Sequence, residues 1–85
     1  MTKEELFKLE IGDYKLTDGI YDYEMNVSIE ETDKIYAIYE KGKKMSDGLF
    51  LIKNNKGSLV ALSGVGGLLI QTEDFNILER LKIKK

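Results

Sequence analysis

The segment from Ile20 to Glu31 alternates between apolar and polar side chains almost without interruption. One side of the alternation carries Tyr21, Tyr23, Met25, Val27 and Ile29, and the other carries Asp22, Glu24, Asn26, Ser28 and Glu30. A period of two residues is characteristic of a β-strand with one buried face and one hydrated face. We therefore predict a long strand here, with its apolar side inward, in a small β protein with an acidic outer surface.

Turn residues recur at short intervals along the chain, as in an antiparallel meander. Gly12-Asp13, Asp18-Gly19 and Glu31–Asp33 interrupt the apolar pattern, and Asn54–Gly57 is a strong hairpin signal because Asn and Gly tolerate positive φ. The predicted fold is mainly β: a small antiparallel barrel or roll of about five to seven short strands. At 85 residues the chain makes a single domain, residues 1–85, with room for one modest core.

Three of the predicted strands, Ile35–Tyr39, Leu49–Ile52 and Leu68–Ile70, are apolar on both sides. In a small sheet protein this pattern indicates central strands, closure into a barrel, or a second chain that covers one face. Homo-oligomerisation therefore stays open.

The two ends of the chain each allow two interpretations. Thr2 fits the cap of a helical turn, whereas the alternation of Phe7, Leu9 and Ile11 fits a strand. A short N-terminal helical turn that leads into a strand satisfies both patterns. At the C-terminus we predict a single turn at Thr72–Phe75 followed by a strand, with a helix over the same residues as the alternative.

Composition and charge narrow the class of protein. The chain has no Cys and therefore no disulfide, and its net charge of −2 argues against a general polyanion binder. Its N-terminus is polar and acidic where a signal peptide would be basic and then apolar, so we expect a soluble cytoplasmic protein. No apolar stretch is long enough to span a membrane. Residues 1–40 carry a net charge of −7 and residues 41–85 one of +5. This asymmetry indicates either separate partner surfaces or, as we favour, oppositely charged strands that lie side by side.

The segment Gly19–Tyr23 resembles the opening "ALYDY" strand of Src-homology-type small β-barrels. Gly67–Ile70, followed by a polar turn that reaches Phe75, is similar to the closing strands of that family, and Asn54–Gly57 stands where its distal hairpin would lie. The resemblance covers roughly residues 19–80 and implies a barrel-like shape that binds through loops and exposed aromatic side chains. Trp and Pro are absent from the chain, so the Pro-rich peptide groove of that family is not expected here.

Catalytic residues are poorly represented. The chain has neither His nor Cys, and its serines have no recognisable activating base, so we predict that it is not an enzyme. The carboxylates of the alternating strand lie roughly 7 Å apart along one face, which is too wide for a calcium cage. We therefore predict no metal and no cofactor.

Two binding surfaces are the remaining candidates. The first is a protein-binding surface made of acidic and tyrosine side chains: Asp22, Glu24, Glu30, Tyr14, Tyr36 and Tyr39. The second, an alternative, is a site for a small anion or nucleotide formed by the glycine loop and nearby lysines: Gly64, Gly66, Gly67, Lys53 and Lys56. The lysine clusters lie apart from the tyrosines, so nucleic acid is not the expected partner.

The sequence thus favours a non-enzymatic β binding module that contacts a protein partner. By analogy of size and acidity, we predict an accessory or inhibitory protein of the kind that bacteriophages encode. Sequestration of a small anionic ligand, at an oligomer interface, is the alternative function.

Overall fold

The computed structural model describes residues 1–42, 48–54, 56–65, 68–72 and 76–84. Two short helices and seven strands follow in the order α1 (Lys3–Phe7), β1 (Gly12–Thr17), β2 (Asp22–Glu30), β3 (Asp33–Glu40), β4 (Leu49–Lys53), β5 (Leu59–Val65), β6 (Leu68–Thr72), α2 (Asn76–Arg80) and β7 (Lys82–Ile83). The prediction of a mainly β fold with about five to seven short strands and an N-terminal helical turn is confirmed.

All seven strands belong to one antiparallel sheet, in the order β6-β5-β4-β3-β2-β1-β7. Strands β1 to β6 form a meander in which each strand pairs with its neighbour in sequence. Strand β7 returns to pair with β1, and no pairing among the described residues joins β7 to β6. The barrel that we predicted as one form of the fold is therefore not observed, because the sheet stays open. Two helices bury the apolar face that closure would otherwise bury.

The core lies between the helices and one face of the sheet, which we call the inner face. Its buried residues are Leu6, Leu16, Met25, Val27, Tyr36, Ile38, Leu51, Ala61, Leu78 and Leu81. Leu6 comes from α1 and Leu78 from α2, while the strand residues of this set share one side of the pleat. The helices thus cover the same face, and the opposite face, the outer face, contributes nothing to this cluster.

The predicted alternation holds in the middle of β2 and fails at its ends. Met25 and Val27 are buried and Tyr23 packs against the core, as predicted, but Tyr21 is 56% exposed and Ile29 is 55% exposed. Tyr21 precedes the strand, because the Asp18 carboxylate accepts its N–H in the turn between β1 and β2. Ile29 pairs with Lys34 beside the β2–β3 turn.

A capping box begins α1, which confirms the helical turn at Thr2. The Thr2 hydroxyl accepts the N–H of Glu5, and the Glu5 carboxylate accepts the N–H of Thr2. The strand interpretation of residues 7, 9 and 11 is wrong. Lys34 Nζ donates to the carbonyls of Phe7 and Leu9, which fixes the chain beyond α1 outside the sheet. The predicted turn at Gly12-Asp13 is instead the start of β1.

The strand predicted beyond Phe75 is wrong over residues 76–80, which form α2. Leu78 and Leu81 are both buried while Glu79 and Arg80 between them are exposed, a spacing of three that suits a helix and not a strand. A strand forms only at β7. Of the predicted turn, Thr72 is the last residue of β6, and residues 73–75 lie outside the described part.

Strands β3 and β4 are central, as their two-sided apolar pattern predicted, but Leu68–Ile70 lies in β6 at an edge of the sheet. The edge position follows from the return of β7 to β1, which leaves β6 with a single partner.

Candidate functional site

The outer face of the sheet carries an apolar surface across β3, β4 and β5. Its members, which we call the outer apolar patch, are Ile35, Ala37, Phe50, Ile52, Val60 and Leu62. They are cross-strand neighbours in two rows, one formed by Ala37, Phe50 and Leu62 and the other by Ile35, Ile52 and Val60. All except Ala37 are partly exposed, and none belongs to the core cluster. The patch explains why β3 and β4 are apolar on both sides.

Three carboxylates border the outer apolar patch on its β2 side, and we call them the acidic rim: Glu24, Glu30 and Asp33. Glu24 stands opposite Tyr39, whose hydroxyl has its pKa raised by partial burial and then by the hydrogen bond with Glu24. Glu30 and Asp33 stand directly opposite each other, an arrangement of like charges that destabilises a sheet. Within the described residues, no cation forms an ion pair with any of the three.

Asp22 differs from the other predicted acidic residues because a cation from the C-terminal half neutralises it. Lys84 Nζ lies 3.0 Å from Asp22 Oδ2, and this hydrogen bond is the main cause that lowers the pKa of Asp22. Lys15 on β1 stands opposite Glu24, within the acidic half of the chain, and β7 pairs with β1 and not with β2. Of these two contacts, only the Lys84–Asp22 ion pair joins the two oppositely charged halves.

Only one of the three predicted tyrosines lies on the outer face. Tyr36 is 0% exposed, so the structure removes it from the predicted contact surface: it occupies an inward position of β3 between Val27 and Leu51. Burial raises the pKa of its hydroxyl, which has no hydrogen-bond partner among the described residues. Tyr14 packs against the core and donates its hydroxyl to the Glu10 carbonyl at 2.9 Å.

Of the predicted anion site, the three residues that the structure describes are not all brought together: Gly64 lies apart from Lys53 and Lys56. Gly66 and Gly67 lie outside the described residues, and Gly64 is a strand residue paired with Leu69. Lys53 pairs with Leu59 at the other end of β5, roughly 17 Å from Gly64 along the strand. Lys56 lies in the turn beyond that end. The β4–β5 hairpin thus holds Lys53 and Lys56 at the opposite end of β5 from Gly64.

The tip of the β1–β2 hairpin presents two apolar side chains that sequence reasoning placed inside or passed over. Ile20 is 82% exposed and Tyr21 is 56% exposed. The Asp18 carboxylate builds the tip: it accepts the N–H of Ile20 at 2.8 Å, that of Tyr21 at 2.7 Å and the Tyr23 hydroxyl at 3.1 Å. The Asp18-Gly19 pair was the available signal, because an Asp that caps its own turn excludes the next residues from the strand.

These bonds predict an acid sensitivity of the hairpin. They lower the pKa of Asp18, chiefly through the N–H groups of Tyr21 and Ile20, below its ordinary value of 3.8. Stability from a lowered carboxyl pKa is complete above the ordinary value and is lost as pH falls through the folded one. We expect Asp18→Asn to lower the thermal midpoint of unfolding at pH 7. Below pH 3.8 the difference in thermal midpoint between the variant and the wild type should become smaller. Thermal unfolding between pH 2 and 7 checks this; a gap that stays constant with pH would contradict it.

Among the described residues, no group of three or more acidic, His or Cys side chains is placed to hold a metal ion. No helix in the described ranges has the length and apolar character needed to cross a membrane. No protein-family model, no curated protein and no solved structure matches this chain.

Proposed function

We propose that the protein is a non-enzymatic binding module whose outer sheet face docks on another protein. The expected partner surface combines an apolar area with basic side chains: the apolar area packs on the outer apolar patch, and the basic groups meet the acidic rim. The observation that carries this proposal is the apolar character of β3 to β5 on the face that the helices do not cover.

The apolar part supplies the driving force. Large side chains such as Phe50, Ile52 and Leu62 are only partly buried, and a contiguous apolar area that stays partly accessible to water supports a protein-interaction site. A flat patch of aliphatic and aromatic groups, free of charge at its centre, has the composition of an interface core.

The acidic rim supports a basic partner over a second copy of this chain. Glu30 and Asp33 repel each other, and a Lys or Arg between them would remove that cost while steering the encounter. Two described cations, Lys15 and Lys84, lie on the β1 side of β2, where they already stand beside Glu24 and Asp22, and not within the outer apolar patch. The prediction of protein contact through acidic and tyrosine residues is therefore narrowed to Glu24, Glu30 and Tyr39, joined by Asp33 and the patch. An accessory or inhibitory role of the bacteriophage type stays a prediction.

The experiment compares immobilised wild-type protein with variants of each part of the face. Phe50→Ser interrupts the outer apolar patch and Glu30→Lys reverses the charge of the acidic rim. Ile20→Ser and Glu10→Lys are the matched controls, because both are exposed positions outside this face. Retained proteins are identified by mass spectrometry, and the affinity of each for the five forms is measured with purified components.

We expect a partner whose affinity falls at least about tenfold, or 1.4 kcal/mol, with Phe50→Ser and with Glu30→Lys, and not with the controls. Added salt should weaken its binding to the wild type more than to Glu30→Lys. A partner that the controls affect equally would contradict the proposal. So would a concentration-dependent dimer in solution that Phe50→Ser converts to monomer, because a second copy would then cover the face.

A further inference from the structure

A groove with a strongly basic lining lies on the other side of the sheet from the outer apolar patch. It is formed where the end of α1 meets the β4–β5 turn, and its volume is about 490 Å³. Its lining includes Lys34, Lys53 and Lys56, together with the Phe7 ring and the polar residues Thr32 and Asn54. No carboxylate is among the described residues that line it.

Two of these lysines are forced together by the register of the sheet. Lys34 on β3 and Lys53 on β4 stand directly opposite each other, where like charges destabilise the pairing. Among the described residues, the groups in contact with their ammoniums carry no formal charge. Lys34 donates to two carbonyls and lies 5.6 Å from the centre of the Tyr36 ring, and Lys53 lies 4.6 Å from the centre of the Phe7 ring. Carbonyl dipoles and ring faces hold the two cations in place while leaving the repulsion between them unneutralised.

The third lysine, Lys56, lies in the turn between β4 and β5, next to residues whose N–H groups bond to Asn54. The Asn54 side-chain oxygen accepts the N–H groups of Lys56 and Ser58, both at 3.0 Å, and the Asn54 carbonyl accepts the N–H of Gly57 at 2.9 Å. Gly57 has a φ of 82°, which closes the turn and which other residues rarely adopt. The turn therefore fixes the backbone of Lys56 at the mouth of the groove, next to the paired lysines.

We propose that this groove, which we call the lysine groove, binds a small anion that carries a phosphate group. A phosphate dianion offers oxygen atoms that accept several ammonium groups at once, and its two charges would offset the repulsion between Lys34 and Lys53. Lys53 and Lys56 contact the anion, whereas Lys34 is a positioning residue because the carbonyls of Phe7 and Leu9 already hold its ammonium. The site uses the lysines of the predicted anion site without its glycine loop.

The test is an NMR titration of the full chain with inorganic phosphate at pH 7.5 and constant ionic strength. We expect saturable shifts of the backbone amides of Lys56 and Gly57, with affinity reduced about threefold to tenfold by Lys53→Gln and again by Lys56→Gln. Lys53→Arg should retain binding. Lys82→Gln is the charge-matched control: it lies on β7, four strands and roughly 19 Å from β4, so screening should leave the affinity unchanged.

Titrations with other ligands identify the chemical class of the anion. A titration of Phe50→Ser distinguishes this proposal from the proposed docking function of the outer face. Adenosine monophosphate should bind at least as tightly as phosphate; citrate that binds as tightly would place the site in the carboxylate class and overturn the proposal. Absence of saturation, or an equal loss in Lys82→Gln, would also overturn it. Phe50→Ser should titrate like the wild type, because that residue lies on the opposite face. A thermal melt of each variant shows that it is folded.

Discussion

Replacing Leu51 by Ala will lower the free energy of unfolding by about 2–5 kcal/mol. Leu51 is 0% exposed at the centre of the core and pairs with Tyr36 on β3 and with Ala61 on β5. Ala61 is already small, so it cannot fill the cavity that the substitution leaves. For a chain of this length the total stability is roughly 4–13 kcal/mol, so the loss is a large share of it. Urea unfolding at 25 °C, followed by far-ultraviolet circular dichroism, measures the difference.

The control is the neighbouring residue on the same strand. Phe50→Ala removes a larger side chain, but from the outer face, where part of the ring is already in water. We expect a cost of at most about 1.5 kcal/mol, because the burial that is lost is incomplete. If Phe50→Ala costs as much as Leu51→Ala, the outer apolar patch is covered, and the assignment of the two faces and the proposed docking surface are both contradicted.

The second large effect concerns the lysine that fixes α1 to the sheet. Lys34→Ala removes two hydrogen bonds from an ammonium to the carbonyls of Phe7 and Leu9. Bonds to a charged group are worth about 1.5–3 kcal/mol each when buried, and less here because Lys34 is partly exposed. The substitution also relieves repulsion with Lys53, worth about 0.2–1 kcal/mol. We expect a net loss of about 1–2 kcal/mol in the same urea experiment.

Lys53→Ala separates the two contributions. It removes the same repulsion but breaks no hydrogen bond to the end of α1; it loses the contact with the Phe7 ring, worth about 0.5–1 kcal/mol. The relief of the repulsion and the loss of the ring contact nearly cancel. We therefore expect the free energy of unfolding to change by less than about 0.5 kcal/mol. Equal losses in both variants would show that the carbonyl bonds of Lys34 do not stabilise α1.

The sequence was informative wherever one face of a strand was buried and the other was wet. Met25 and Val27 were placed correctly because a shift of one residue would have exposed both. The pattern was uninformative at the start of β2, where hydrogen bonds of the preceding turn set the boundary of the strand. Tyr21 continues the alternation of apolar and polar residues, but the Asp18 carboxylate accepts its N–H and keeps it in the turn. The prediction for residues 76–80 was wrong because Ile77, Leu81 and Ile83 follow a period of two, whereas Leu78 and Leu81, three residues apart, follow the helical period.

The candidate sites were harder to predict from the sequence than the fold, because they depend on which strands become neighbours in the sheet. The acidic residues were identified, yet nothing local shows that Asp22 is neutralised by Lys84 or that Asp33 faces Glu30. Tyr36 and Tyr39 differ by three positions and face opposite sides of β3. Lys34 was missed altogether, because its importance comes from lying opposite Lys53, and that pairing is fixed only by the hairpins on either side.

The return of β7 to β1 has a consequence for how the sheet forms. Each pairing from β1 to β6 closes a short loop, whereas pairing Leu16 with Ile83 closes a loop that contains most of the chain. The entropy lost in closing a loop grows with its length, and two paired residues offset little of it. We therefore expect the C-terminal edge to assemble last, at the step in which Leu78 and Leu81 enter the core.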